Sequence, residues 1–303
     1  MILYKKIVWG NIMNLAKKFL EVEQNENNQI DMEIFKQTIE ELLPDFFLDK
    51  PLFKKENISL YYYDEYVLGT CVTEKSLPTL YLEINQPENI KNWNKKKNKH
   101  TYPELYLSLN AFRDNLFDYF IENMDDNTLI MKEKYALKFS INIYDEDENE
   151  VRNINFQIIP CITYENEKGN KGIMYFNEKN RDVIIDYPKL SMQNFKLKNR
   201  KSLGIYKNYC IIFKNLFKII KNEKVLPSEI FETILYNVPN MFFENYTVEN
   251  LSKIINYIRN SNVLNYLSMD EQDFAFITVY RPMNLIYVKH AIKKLESYIK
   301  RLK

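Results

Sequence analysis

The sequence predicts an α+β chain in which an α/β half ends near residue 200 and an all-helical half follows. Three observations predict this. Strand-like runs such as Thr79–Ile84 (TLYLEI) and Asn153–Cys161 lie before residue 200. Apolar residues at helical spacing dominate after it, most clearly over Ser202–Asn222. A chain of 303 residues can bury one large core or two ordinary ones.

The first sixty residues read as helices. Asp31 is placed to cap a helix whose Ile34, Phe35, Ile39, Leu42 and Leu43 share one face, with Pro44 helping to end it. Ile58–Tyr63 reads as an aromatic-rich strand and residues 64–77 as a loop. In the strand Thr79–Ile84, Leu80, Leu82 and Ile84 point one way, and Thr79, Tyr81 and Glu83 the other. Residues 86–102 form a polar, lysine-rich insertion, and Pro103 opens a helix at a tolerated first-turn position. Strands at Tyr135–Tyr144 and Asn153–Cys161, joined by the acidic turn Asp145–Glu150, make an antiparallel hairpin. Gly169 and Gly172 mark another turn. Beyond residue 200, Ile205, Tyr209, Ile212, Phe213, Leu216 and Ile220 form an apolar stripe, and Pro227–Tyr236, Val248–Arg259 and Pro282–Leu302 are further helices. The expected domains are therefore 1–200 and 201–303.

Composition narrows the chemistry. Lys+Arg 42 against Asp+Glu 41 leaves a net charge of +1, so any anion steering must come from local patches. The 23 Tyr and 19 Phe mostly continue apolar stripes, and we read them as core. Cys71, Cys161 and Cys210 are odd in number and widely spaced, and only His100 and His290 accompany them. A structural zinc site and Ser-His-Asp or Cys-His catalysis are disfavoured on supply alone. With 5 Gly there is no phosphate-binding glycine loop. No segment approaches a membrane span and the N-terminus lacks a signal-peptide pattern, so a reducing, cytoplasmic setting is expected.

Three segments in order resemble the oligoadenylate synthase and cGAS/DncV-like nucleotidyltransferases of the DNA polymerase β superfamily. They are Gly69–Ile84 (GTCVTEKSLPTLYLEI), Asn155–Cys161 (NFQIIPC) and Tyr187–Lys218, with PSEIFETILYNVPN at 227–240 also similar. The resemblance implies a mixed-sheet, palm-like domain packed on a helical domain that completes a cleft. In that family two Mg²⁺ ions held by three aspartates drive attack on the α-phosphorus of a nucleoside triphosphate. The register set by Thr70, Ser76 and Leu80 puts Leu77 and Thr79 where the paired aspartates belong. Gln157, ahead of Ile159-Pro160, takes the place of the third. The family's Gly-Ser turn is replaced by Asp64-Glu65, whose charge opposes a triphosphate.

No catalytic residue, metal or cofactor is therefore expected. Glu83, four residues and ~13 Å beyond Thr79, is the one acid whose shift could rescue a metal, with Asp145 or Asp147 helping. Mg²⁺ would return only in that case. Lys207, Lys214, Lys218 and Lys221 fall on one stripe of the long helix. Of these, Lys214 is the first candidate for an anion contact. Lys196, Lys198, Arg200 and Lys201 form a basic cluster just before that helix, so Thr70, Ser76, Lys198, Arg200, Lys207, Lys214 and Lys218 make up the phosphate-binding candidates. Lys91, Lys95, Lys96, Lys97 and Lys99 around Trp93 read as a soluble insertion, with nucleic-acid contact as the sharper alternative. The resulting expectation is a non-catalytic member that binds a nucleotide, RNA or protein partner in a regulatory or sensing role. The alternatives are an active Mg²⁺-dependent nucleotidyltransferase making a cyclic or linear oligonucleotide or modifying an RNA end, and a structural protein-interaction module.

Overall fold

The computed structural model describes residues 26–49, 58–71, 77–84, 103–144, 150–179, 181–219, 229–276 and 282–302. These form two compact units. One comprises residues 25–64 and 75–189; the other includes residues 65–74 and 190–303. The chain crosses into the helical unit at Leu190, ahead of residue 200, because the segment Pro188–Lys201 is itself a helix.

The first unit is built on a seven-stranded mixed sheet. Its elements are α1 (Glu26–Asp49), β1 (Ile58–Tyr62), β2 (Thr79–Ile84), α3 (Pro103–Asn123), β3 (Thr128–Lys132), β4 (Leu137–Tyr144), β5 (Glu150–Glu165), β6 (Lys171–Asn177) and β7 (Asp182–Asp186). A short helix α2 (Glu65–Leu68) interrupts the stretch expected to be loop and sorts with the other unit. The main strand order is β1-β2-β5-β4-β3, with β6 pairing β5 and β7. Only β2 and β5 run parallel among the paired strands. The expected hairpin of β4 and β5 is present, and Lys138 faces Gln157 across it.

One sheet face is covered by helices. Phe35 of α1 stacks on Phe156 at 4.4 Å and meets Phe139 edge-on, while Phe120 of α3 also packs on Phe139. The opposite face carries a cluster of Tyr81, Ile159, Cys161, Ile173 and Tyr175, with Tyr61 packed against it. Strand alternation explains the sorting, since Phe156 and Ile158 point to the helices while Gln157, Ile159 and Cys161 point away.

Several local expectations are corrected. Asp31 does not cap a helix: it lies inside α1, buried, gripped by both Arg152 guanidinium nitrogens at 2.7 and 2.8 Å. Pro44 does not end α1, because buried Phe46 and Phe47 reward a further turn and offset the lost backbone bond. Gly169 does mark a turn, with φ +78°. Gly172 instead lies within β6, where an added Cβ would stand 2.6 Å from the Asp186 carbonyl oxygen and 2.7 Å from the Tyr187 ring. The lysine-rich insertion at 86–102 lies outside the described residues.

The second unit is helical: α4 (Pro188–Lys201), α5 (Ile205–Ile219), α6 (Glu229–Tyr236), α7 (Val248–Asn260) and α8 (Pro282–Leu302). The helix expected from Ser202 begins instead at Ile205, after Leu203 and Gly204 take positive φ and end α4. On α5, Tyr209, Ile212, Phe213 and Leu216 are buried as the stripe predicts. Thr247 caps α7 by accepting from the Asn250 N–H. None of the three cysteines forms a disulfide, and all three are buried. Among the described residues no helix is long and apolar enough to cross a membrane.

Candidate functional site

The parallel pairing of β2 with β5 sets Thr79 opposite Gln157, and the Gln157 side-chain amide donates to Thr79 Oγ1 at 2.6 Å. The Thr79 hydroxyl donates in turn to the Leu77 carbonyl at 3.1 Å. Two positions that the resemblance aligned with metal-binding acids therefore do meet across adjacent strands, but as a neutral, mutually satisfied pair. Leu77, the remaining position, contributes a carbonyl and no side-chain oxygen. Ser76 lies outside the described residues.

One acid reaches this pair. Asp64 Oδ2 accepts from the Thr79 backbone N–H at 2.5 Å. The antiparallel β1–β2 register, with Tyr62 opposite Leu80, turns the chain back so that Asp64 reaches the head of β2. That pairing was the missing information, because residue types alone do not reveal it.

Glu83 is not the half-exposed strand residue expected. It is buried at 7% exposure and receives Lys189 Nζ at 2.6 Å, so it is spent on a cation at the other end of β2. Asp145 and Asp147 lie outside the described residues.

A pair of Mg²⁺ ions needs several hard anionic oxygens converging on one point. Here one carboxylate, a hydroxyl already bonded twice and a side-chain amide converge. Among the described residues no group of three or more His, Cys, Asp or Glu is placed to hold an ion. The described residues do not fit the family's metal pair.

In the helical unit the lysines do not form a solvated stripe. Lys214 is 3% exposed and bonds to Glu232 at 2.6 Å, Glu65 at 2.8 Å and the Thr70 carbonyl at 3.2 Å. Thr70, fully buried, donates its hydroxyl to Glu232. Burial alone would pull the Lys214 ammonium down, but Glu232 and Glu65 outweigh it and hold it above the usual lysine range. Burial pushes the Glu232 carboxyl up, against the pull of Lys214. Glu65, expected to oppose a triphosphate, is thus part of an internal charge cluster.

Lys198 is directed inward as well. It donates to the Val238 carbonyl at 2.5 Å, with its ammonium 5.2 to 5.8 Å from the rings of Phe243, Tyr236 and Tyr206. Burial lowers its pKa to about 8. Lys196, Arg200 and Lys201 sit on α4 and are exposed, while Lys207 and Lys218 on α5 are half-buried. Lys221 is outside the described residues.

Comparison with known proteins bears on this arrangement. Residues 193–300 match the C-terminal helical domain of cGAS/DncV-like nucleotidyltransferases. A cyclic nucleotide synthase, CdnE01 of Staphylococcus haemolyticus, is 32% identical over 162 residues, covering 48% of this chain and 49% of that protein. The chain spans about half the length of the curated relatives it matches. Among solved structures, the Rhodothermus marinus CdnE c-UMP-AMP synthase superposes with a TM-score of 0.67 at 15% identity, covering 95% of both chains. A STING-associated CdnE c-di-GMP synthase from Flavobacteriaceae sp. gives 0.68 at 16% identity, covering 95% of this chain and 86% of that one. The mixed sheet, the helical unit and the matched residues 193–300 together give the chain the fold of the cGAS/DncV-like nucleotidyltransferases.

Proposed function

We propose that this chain acts in nucleotide signalling, and that synthesis of a cyclic or linear oligonucleotide from nucleoside triphosphates is the activity its relatives favour. The observation that supports this reading is the 32% identity with a protein named as a cyclic nucleotide synthase. Of the described residues only Asp64 brings a carboxylate to Thr79. The reading therefore requires further acids, from outside the described residues, to complete a Mg²⁺ site.

A second reading rests on a specific observation, the neutral Thr79–Gln157 pair beside Leu77. It supports a member that binds a nucleotide, RNA or protein partner in a regulatory or sensing role without transferring a nucleotidyl group. Fold alone does not decide between the two.

The deciding experiment incubates the purified protein with radiolabelled ATP, GTP, CTP and UTP plus Mg²⁺ or Mn²⁺, beside Asp64→Asn and Glu83→Ala, and resolves products chromatographically. A metal-dependent product that disappears in Asp64→Asn and survives in Glu83→Ala supports synthesis at the head of β2. Absence of any product, together with retained nucleotide binding by equilibrium dialysis, supports the binding reading and rejects the first.

A further inference from the structure

A cavity of about 350 Å³ lies within the sheet unit, lined by residues including Tyr61, Glu83, Tyr164, Glu165, Lys171 and Lys189. Glu83 lines it, four residues along β2 from Thr79, so the cavity and the Thr79–Gln157 pair occupy opposite ends of that strand. Its volume is at the lower end of the range typical of small-ligand sites.

We propose that this cavity is a binding site for the ammonium group of a small organic amine, and that Lys189 is a tethered stand-in for that ligand. Four observations converge on this. Glu83 supplies a carboxylate whose side chain is only 9% exposed. Among the described residues its cation partner is Lys189, whose Nζ lies 2.6 Å from Glu83 Oε2 and 4.3 Å from the Tyr61 ring centre. A buried carboxylate beside an aromatic face is the environment that recognises an alkylammonium. The Tyr61 hydroxyl is buried beside Glu83, so the aromatic ring and the carboxylate converge on one point of the cavity.

The stand-in is poorly anchored. The Lys189 side chain is 52% exposed, so its own ammonium regains water on leaving, and the carboxylate it strands is the group a ligand ammonium would satisfy. It also sits in the first turn of α4, where the positive end of the helix dipole disfavours a cation. Once Lys189 leaves, Glu83 and Glu165 outnumber Lys171 and the cavity carries one net negative charge, which selects cations over anions. The inference does not depend on whether the chain transfers nucleotides.

The test is isothermal titration of cadaverine into the full chain, Lys189→Met, and Lys189→Met with Glu83→Gln, using pentanoate and pentan-1-ol as controls. Removing the stand-in is expected to tighten cadaverine binding about tenfold, and adding Glu83→Gln to weaken it by about the same factor or more. Pentanoate and pentan-1-ol are expected not to bind. Equal binding by the full chain and Lys189→Met, no binding by either, or binding of the alcohol as tight as the amine would each overturn the proposal. If Glu83→Gln fails to fold, Tyr61→Leu on the Lys189→Met background decides. Several-fold weaker binding is expected from loss of the ring, and unchanged affinity overturns the assignment.

Discussion

Replacing Lys214 by Met tests the buried charge cluster directly. The side chains of Lys214 and Glu232 are 1% and 2% exposed, and that of Glu65 is 10% exposed. The substitution keeps most of the aliphatic volume and removes only the ammonium. Two carboxylates then face each other without a cation, at 2.6 and 2.8 Å from the vacated nitrogen position. Breaking a buried ion pair by deleting one partner costs about 3–5 kcal/mol. Whole domains are stable by roughly 5–15 kcal/mol, so the variant should lose a large fraction of the total. Equilibrium urea unfolding followed by circular dichroism measures the loss. Adding Glu65→Gln and Glu232→Gln removes the stranded charges and should restore most of it. The pH dependence has a definite sign. The folded Lys214 pKa is raised, so its contribution is fully present below the unfolded lysine value, near ~10.4, and is lost as pH rises through the folded one. The stability gap between wild type and Lys214→Met should be flat through neutral pH and shrink only in strong alkali. A loss below ~1 kcal/mol, the range of exposed pairs, or no recovery in the triple variant, would refute the reasoning.

Two further substitutions probe other parts of the molecule. Gly172→Ala must push the Asp186 carbonyl and the Tyr187 ring apart, and should destabilise by about 1–3 kcal/mol in a thermal melt; an unchanged midpoint would contradict the close contact. Lys198, lowered to about 8 by burial, should be acylated ahead of exposed Lys196 and Lys201 at pH 8, as quantified by peptide mass spectrometry. Because the unfolded chain binds the extra proton, stability should rise from about pH 8 towards the ordinary lysine value, and Lys198→Met should lack that rise.

How far the sequence could be read depended on where the decisive pairing lay. Thr79–Ile84 was legible because alternation marks it, and the resemblance put Gln157 on a neighbouring strand, where it pairs with Thr79. The bond from the Thr79 N–H to Asp64 was not legible because it follows from β1 folding back on β2, a tertiary fact. Pro188–Lys201 escaped notice because its run of Lys, Arg and Asn hides the few apolar residues, Phe195 among them, that anchor it. The α5 lysines looked like one solvated stripe, since helical spacing gives a face but not what covers it. Lys214 is covered, and its partners come from Glu65 and Glu232, far away in sequence. The residues of β3, β6 and β7 gave no alternation strong enough to stand out.

The long strand β5 also sets an order of assembly. Its 16 residues pair in turn with β4, β2 and β6. From β3 to β7 every pairing joins strands adjacent in sequence, whereas β2 pairs across a gap of 78 positions, from Thr79 to Gln157. Loop-closure entropy falls most heavily on that single parallel seam. The meander over residues 128–186 can therefore zip up first, and the β1–β2 hairpin joins it late. Backbone amides of β1 and β2 should accordingly gain protection after those of β4 and β5 in pulse-labelled hydrogen exchange. The Thr79–Gln157 pair, which depends on that seam, would then be among the last contacts of the sheet to form.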